Sequence, residues 1–252
     1  MEISAAIITF NEENHLARCL QSIRDIVDEI IVVDSGSQDR TLEIAREFEA
    51  KVCRRTFTNY ADQKNYAASQ AKNEWILSLD ADECLSEPLR KRLLDLKETH
   101  PLAEAYAFPR KAFYLGRWIC HSGWYPDYKI RLYRKSTAVW EGEFVHESVR
   151  VSGRICRIDA DLLHYTCDSL SQHLLRIDHY TTLSARAMHQ EGKKPSLRSW
   201  LVSPVSAFLK AYLWKAGFLD GRQGLIIAVM AGYYNFLKHA KLWEMQRQTG
   251  PR

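Results

Sequence analysis

The sequence predicts an α/β fold with a mostly parallel central sheet, mixed strands contributed by residues past 96, and a helical C-terminal extension. Three observations predict it. Between residues 3 and 95, short apolar runs alternate with segments of helical period. Two of those runs end in carboxylates: Ile30-Ile31-Val32-Val33-Asp34 and Trp75-Ile76-Leu77-Ser78-Leu79-Asp80-Ala81-Asp82. From about residue 168 the apolar residues recur at helical spacing to the end of the chain.

Each element follows from its own pattern. Residues 3–8 read as a first strand rather than a signal peptide, because no basic region with a long apolar core precedes them. Apolar side chains at 16, 20, 23, 26 and 27 give a helix over 14–27, with Asn14 as its cap. A continuous apolar strand at 29–33 leads into the turn Asp34-Ser35-Gly36-Ser37. A helix at 39–48, a short strand at 51–53, a helix at 61–71 and a strand at 74–79 complete the alternation. Right-handed crossovers then gather 9–12, 34–39 and 80–83 along one sheet edge.

Past residue 96 the pattern loosens. Short strands are expected at 104–108, 128–133 and 144–150, the middle one from the alternation Lys129-Ile130-Arg131-Leu132-Tyr133-Arg134. Helices are expected at 169–190, at 197–216 with a break near Pro204, and at 222–245. The expected organisation is one catalytic domain over 1–167, divided into 1–95 and 96–167, and a helical region over 168–252.

The apolar stretch 224–237 would reach only ~21 Å as a helix, short of a ~30 Å hydrocarbon core. With Lys210, Lys215, Arg222, Lys238 and Lys241 around it, the stretch reads as an interfacial anchor. Its rivals are a buried helix hairpin and a homodimer interface.

The formal charge of +4 over 252 residues is modest, and the basic residues are dispersed, so no nucleic-acid partner is expected. Six cysteines lack CxxC or zinc spacing and read as reduced thiols of a cytoplasmic protein.

The chemistry concentrates on the acidic strand ends. In an open α/β sheet, ligands bind at the carboxyl edge. Asp80 and Asp82 are the candidate ligands for Mg²⁺ or Mn²⁺ against a diphosphate, with Ala81 between them. Thr9, Asn11 and Glu12 after the first strand, Asp34 after the second, and Lys64 in the third helix are candidate nucleotide contacts. A Rossmann site needs glycines where Thr9-Phe10-Asn11-Glu12-Glu13-Asn14 stands, and the P-loop sequence is absent too. Two segments offer a general base: Asp127 in His121–Asp127, and Glu147 beside His146, a candidate phosphate or metal contact. His164 is a further candidate for the diphosphate or the rim of the site. A zinc protease is disfavoured, since His146-Glu147-Ser148-Val149-Arg150 lacks the second histidine.

Three early segments together resemble the inverting family-2 glycosyltransferases with a GT-A fold: Ile7–Glu13, Val32–Thr41 and Leu79–Glu83. That resemblance implies nucleotide, diphosphate and metal roles for Thr9, Glu12, Asp34, Lys64, Asp80 and Asp82. Arg131–Arg134, Val145–Glu147, Leu163–Tyr165 and the helical tail extend it to bacterial lipopolysaccharide-core glucosyltransferases that act on inner-core heptose. This implies a UDP-sugar donor, a glycolipid acceptor, an anionic membrane surface as partner, and a cytoplasmic location peripheral to the inner membrane. Many members place the base in a Glu-Asp pair. Here Pro126-Asp127 occupies that region, which leaves Asp127 and Glu147 both open. The alternatives are transfer to a polyprenyl phosphate and a non-catalytic membrane-associated scaffold.

Overall fold

The computed structural model describes residues 1–99, 101–142 and 147–249. The first half alternates as expected: β1 (Ile3–Thr9), α1 (Leu16–Ile23), β2 (Glu29–Asp34), α2 (Thr41–Glu47), β3 (Lys51–Arg54), α3 (Tyr60–Ser69) and β4 (Trp75–Asp80). A three-residue β5 (Glu83–Leu85) and α4 (Glu87–Glu98) follow. Next come β6 (Ala105–Tyr114), β7 (Arg117–Trp118), β8 (Asp127–Arg134), β9 (Ala138–Glu141), β10 (Ser148–Val151), β11 (Ile155–Arg157) and β12 (Leu162–Cys167). The chain ends in α5 (Leu170–Gln190), α6 (Leu197–Leu209) and α7 (Gly221–Thr249).

The main sheet runs β3-β2-β1-β4-β8-β6-β12-β5, with β7 and β11 also paired to β6. Parallel ladders join β3, β2, β1 and β4, whereas β8 runs antiparallel to β4. All seven residues of β1 are buried, as a central parallel strand covered on both faces requires. Helix α1 buries Leu16, Cys19, Leu20 and Ile23, one helical face, against this sheet's core. It starts at residue 16 rather than 14, and its cap position is His15, not Asn14.

The chain forms two compact units, Met1–Lys111 with Asp127–Tyr165, and Ala112–Pro126 with Thr166–Arg252. The segment 112–126, placed by sequence in the 1–167 domain, therefore groups with the helices. Within the second unit the Asp220 carboxylate accepts from the backbone N–H groups of Cys120 at 3.1 Å and His121 at 2.9 Å. Tyr114 Oη and His173 Nδ1 lie 2.7 Å apart.

No break occurs at Pro204, which lies inside α6. The helix packs closely on α7 there. A Cβ on Gly232 would stand 3.1 Å from the Pro204 carbonyl oxygen, and the Trp200 ring meets Phe236 and Trp243 edge-on at 5.5 and 6.1 Å. Among the described residues no helix is long and apolar enough to cross a membrane.

Candidate active site

The strand order reverses at β1, with β2 and β3 to one side and β4 to the other. Ligands of open α/β sheets bind at such a point, beyond the carboxyl ends of the strands. Register places Thr9 opposite Asp34 and Ile8 opposite Asp80, so three of the sequence-predicted residues share that edge.

Asp34 is fully buried, and its own loop engages both oxygens: Oδ2 accepts from Gly36 N at 2.9 Å, and Oδ1 from Ser37 Oγ and Ser37 N. Its first task is to shape the turn that Gly36 completes at φ 101°. Asn11 ties this turn to the loop after β1. Its N–H donates to Ser37 Oγ at 2.9 Å and its Oδ1 accepts from Gln38 N at 2.9 Å. Glu12 N donates to Thr41 Oγ1 at 2.8 Å. Thr9 Oγ1 and Gln63 Oε1 are buried with no hydrogen-bond partner among the described residues. Orphaned buried polar atoms are costly, and Thr9 carries its own at the carboxyl end of β1.

Beside this edge lies a buried charge cluster. Helix α3 is capped by Asn59, whose side chain accepts from Asp62 N at 2.8 Å, and projects Lys64 inward. Lys64 is 2% exposed; its Nζ lies 2.9 Å from Asp80 Oδ1, 3.4 Å from Glu147 Oε1 and 4.5 Å from the Trp140 ring centroid. A buried ammonium needs such partners. Arg131 closes the cluster, with Nη2 2.7 Å from Asp80 Oδ2 and 2.6 Å from Glu83 Oε1. Burial alone would push the Asp80 carboxyl up. Lys64 and Arg131 outweigh it and hold that carboxyl well below the usual range. Burial likewise opposes the Arg131 charge, yet Glu83 and Asp80 raise the guanidinium above its ordinary value.

Asp82 stands apart from Asp80. The short β5 pairs antiparallel with β12, opposing Glu83 to His164. That register brings His164 Nε2 to 3.2 Å from Asp82 Oδ2, each side chain being 15% exposed. Ala81, between the two aspartates, is buried at 3% exposure and lends the site no polar side-chain atom.

The two candidate bases differ in setting. Glu147 meets Lys64 within the cluster. Asp127 begins β8 and is claimed by Arg110 at 2.9 Å and Lys129 at 3.0 Å. Burial would raise Asp127; Arg110 and Lys129 override it and lower its pKa. His146 lies outside the described residues.

Sequence reasoning placed Arg131 in the β8 alternation and Glu83 at the end of the Leu79–Glu83 segment, and gave neither of them, nor Trp140, a role in the site. The one available signal for Arg131 and Glu83 was opposite charge on two segments that each read as lying within or beside a buried strand.

Comparison with known proteins bears on this geometry. The family model "Glycosyl transferase family 2" matches residues 4–147, which include every cluster residue named above. The chain belongs to glycosyl transferase family 2. Its relatives include an uncharacterized glycosyltransferase of Rickettsia typhi, 31% identical over 98% of this chain and 89% of that protein. The lipopolysaccharide core biosynthesis glycosyltransferase LpsC of Rhizobium meliloti is 28% identical over 97% of this chain and 93% of its own. Among solved structures, S. aureus TarS 1–349 in complex with UDP-GlcNAc superposes with a TM-score of 0.52 at 16% identity, covering 98% of this chain and 92% of that one. The GT-A fold expected from sequence is the fold observed, and this family-2 enzyme is an inverting sugar transferase.

Proposed function

We propose that this glycosyltransferase moves a hexose, glucose from UDP-glucose, onto a sugar hydroxyl of a lipopolysaccharide-core glycolipid at the cytoplasmic face of the inner membrane. Family membership and the relationship to LpsC support the reaction class and the acceptor. The observation that carries the donor site is the grouping of Lys64, Asp80, Arg131 and Glu147 beside the edge where the strand order reverses.

The family implies a divalent cation, and the residues present fit one at Asp82 rather than Asp80. Both Asp80 oxygens already face cations, which repel a third. Asp82 and His164 instead converge a carboxylate oxygen and a ring nitrogen, donors suited to Mn²⁺ or Mg²⁺. Among the described residues no group of three or more such side chains gathers, so Asp82 and His164 are the two that would hold the cation. Bound there, Mg²⁺ or Mn²⁺ supplies Lewis-acid charge to the departing diphosphate.

The chain's own residues do the rest. Thr9 Oγ1 and the 9–12 and 34–38 loops line the nucleoside. Asp80 orients Lys64, whose ammonium adds positive charge where the diphosphate becomes more negative. Glu147 takes the proton from the acceptor hydroxyl as that oxygen bonds to the anomeric carbon. The bond from that carbon to UDP breaks on the opposite face, which inverts the configuration.

Calorimetric titration of UDP, ADP, GDP and CMP, with and without Mn²⁺, tests this on wild type and Asp82→Ala. A UDP preference that needs Mn²⁺ and disappears in the variant supports the reading. Folded protein that binds none of the four overturns it. Turnover of UDP-glucose against UDP-N-acetylglucosamine then decides the sugar.

A further inference from the structure

The second unit carries an apolar surface that its own fold leaves uncovered. Helix α6 has the sequence LRSWLVSPVSAFL, yet none of its residues is buried. Leu197, Leu201, Val205, Leu209 and Leu213 recur every fourth residue and are 44–76% exposed, forming one continuous ridge. The ridge runs on into Trp214 at 85%, Phe218 at 49% and Leu219 at 53% exposure. Single exposed apolar residues need no explanation, whereas a contiguous run of this size marks a docking surface. The 224–237 stretch singled out by sequence is divided: it buries Ile227 and Ala228 within the unit and leaves Leu225, Val229, Tyr233 and Phe236 exposed.

Charge decides what docks there. From Gly192 to Trp243 the sequence has eight Lys and Arg and a single acidic residue, Asp220. Asp220 is 1% exposed and consumed by the Cys120 and His121 N–H groups, so the outer surface of this segment bears cations alone. Arg198, Lys210, Lys215 and Arg222 are exposed on the same segment as the apolar ridge. Next to the ridge, a groove of about 440 Å³ is lined by the hydroxyls of Ser196, Ser199, Ser203 and Ser206 with Arg198 and His239. The Ser199, Ser203 and Ser206 hydroxyls already donate to Ser196 O, Asn235 Oδ1 and Ser203 O, so the groove's donor to a phosphate oxygen is the Arg198 guanidinium. A second copy of this chain would bring a second set of the same cations against the first. An anionic lipid surface meets both the apolar ridge and the charge.

We infer that the ridge Leu197–Leu219 is an interfacial membrane-docking surface for anionic phospholipid, with Trp214 and its apolar neighbours entering the acyl boundary and the flanking cations meeting phosphate headgroups. It adsorbs without spanning, in keeping with the lack of any crossing helix among the described residues. This inference does not depend on the donor or the metal. Vesicle binding reads it separately from sugar transfer.

The test is co-sedimentation of the full chain with vesicles of phosphatidylcholine alone or mixed with phosphatidylglycerol, joined to quenching of tryptophan emission by brominated acyl chains. Binding to the phosphatidylglycerol vesicles that weakens in high salt is expected, with brominated-lipid quenching that falls in Trp214→Phe. The double variant Lys210→Glu/Lys215→Glu is expected to lower partition at least about tenfold. Leu201→Glu/Leu213→Glu is expected to lower it further with unchanged circular dichroism, because both side chains already face water. Equal binding to both vesicle types overturns the proposal. So does wild-type emission that brominated lipid leaves unquenched. A sedimentation-equilibrium dimer that Leu201→Glu/Leu213→Glu converts to monomer, with vesicle binding unaltered, assigns the ridge to a second copy and overturns it as well.

Discussion

Glu83 Oε1 lies 2.6 Å from Arg131 Nη2, with the two side chains 0% and 4% exposed. Glu83 Oε2 also accepts from Asp80 N at 3.1 Å, so one buried carboxylate fixes both the turn after β4 and the cation that faces Asp80. Arg110 Nη1 stands 3.6 Å from Glu83 Oε1, a longer contact, so removing Arg131 leaves a poorly compensated buried charge. Arg131→Met should therefore destabilise the fold by about 3–5 kcal/mol. Urea unfolding is the measurement. A change below about 1 kcal/mol would show that water reaches Glu83 and that the pair is not sealed.

Asp82 and His164 are predicted to act together. Asp82→Asn and His164→Ala should each lower kcat/KM by about 100-fold or more, and the double variant should lose little beyond either single. The Mn²⁺ concentration needed for half activity should rise in both singles. Independent, multiplicative losses would separate the two residues and remove the shared site.

That pairing shows where sequence reading stops. The edge at Thr9, Asp34 and Asp80 was legible because each ends a parallel strand whose apolar run and following helix are local patterns. The partnership of Asp82 with His164 spans 82 positions. It depends on β12 pairing with a β5 only three residues long, too short to show a period. Arg131 was hidden for a related reason. It alternates with Ile130 and Leu132 in β8, a pattern that marks an outward polar residue unless a second layer covers it. Here the α3 side of the sheet covers it, with Lys64, Trp140 and Glu83. Asp80 and Lys64 were each legible as site residues, but the ion pairs that join Asp80 to Lys64 and to Arg131 were not.

Asp127 should leave a signature in stability against pH. Its pKa is lowered in the folded state by Arg110 and Lys129, against burial that would raise it. A carboxyl depressed on folding contributes stability that is fully present above its unfolded value, about 3.9, and lost as pH falls through the lower folded value. The stability difference between wild type and Asp127→Asn should be constant above about pH 5 and shrink below about pH 4. Thermal melts of both proteins across that range check it. A difference that grows on acidification would reverse the sign and place Asp127 away from its cations.

The same contrast separates the two candidate bases. Arg110 and Lys129 stabilise the Asp127 anion and make it reluctant to accept a proton. Glu147 shares Lys64 with Asp80, which already occupies that ammonium at the shorter distance, 2.9 Å against 3.4 Å. Glu147 thus keeps more of its carboxylate for the acceptor hydroxyl while staying within the charge cluster. Glu147→Gln should lower kcat by about 10²–10⁴ with UDP affinity nearly unchanged, since general-base catalysis contributes in that range. Asp127→Asn should cost less than about tenfold, because the amide keeps the side chain's shape and removes no proton acceptor from the reaction. Steady-state rates and UDP calorimetry on both variants make the decision. The reverse ranking, with Asp127→Asn the more damaged enzyme and its UDP affinity intact, would transfer the base to β8 and leave Glu147 as a partner that holds Lys64 in place.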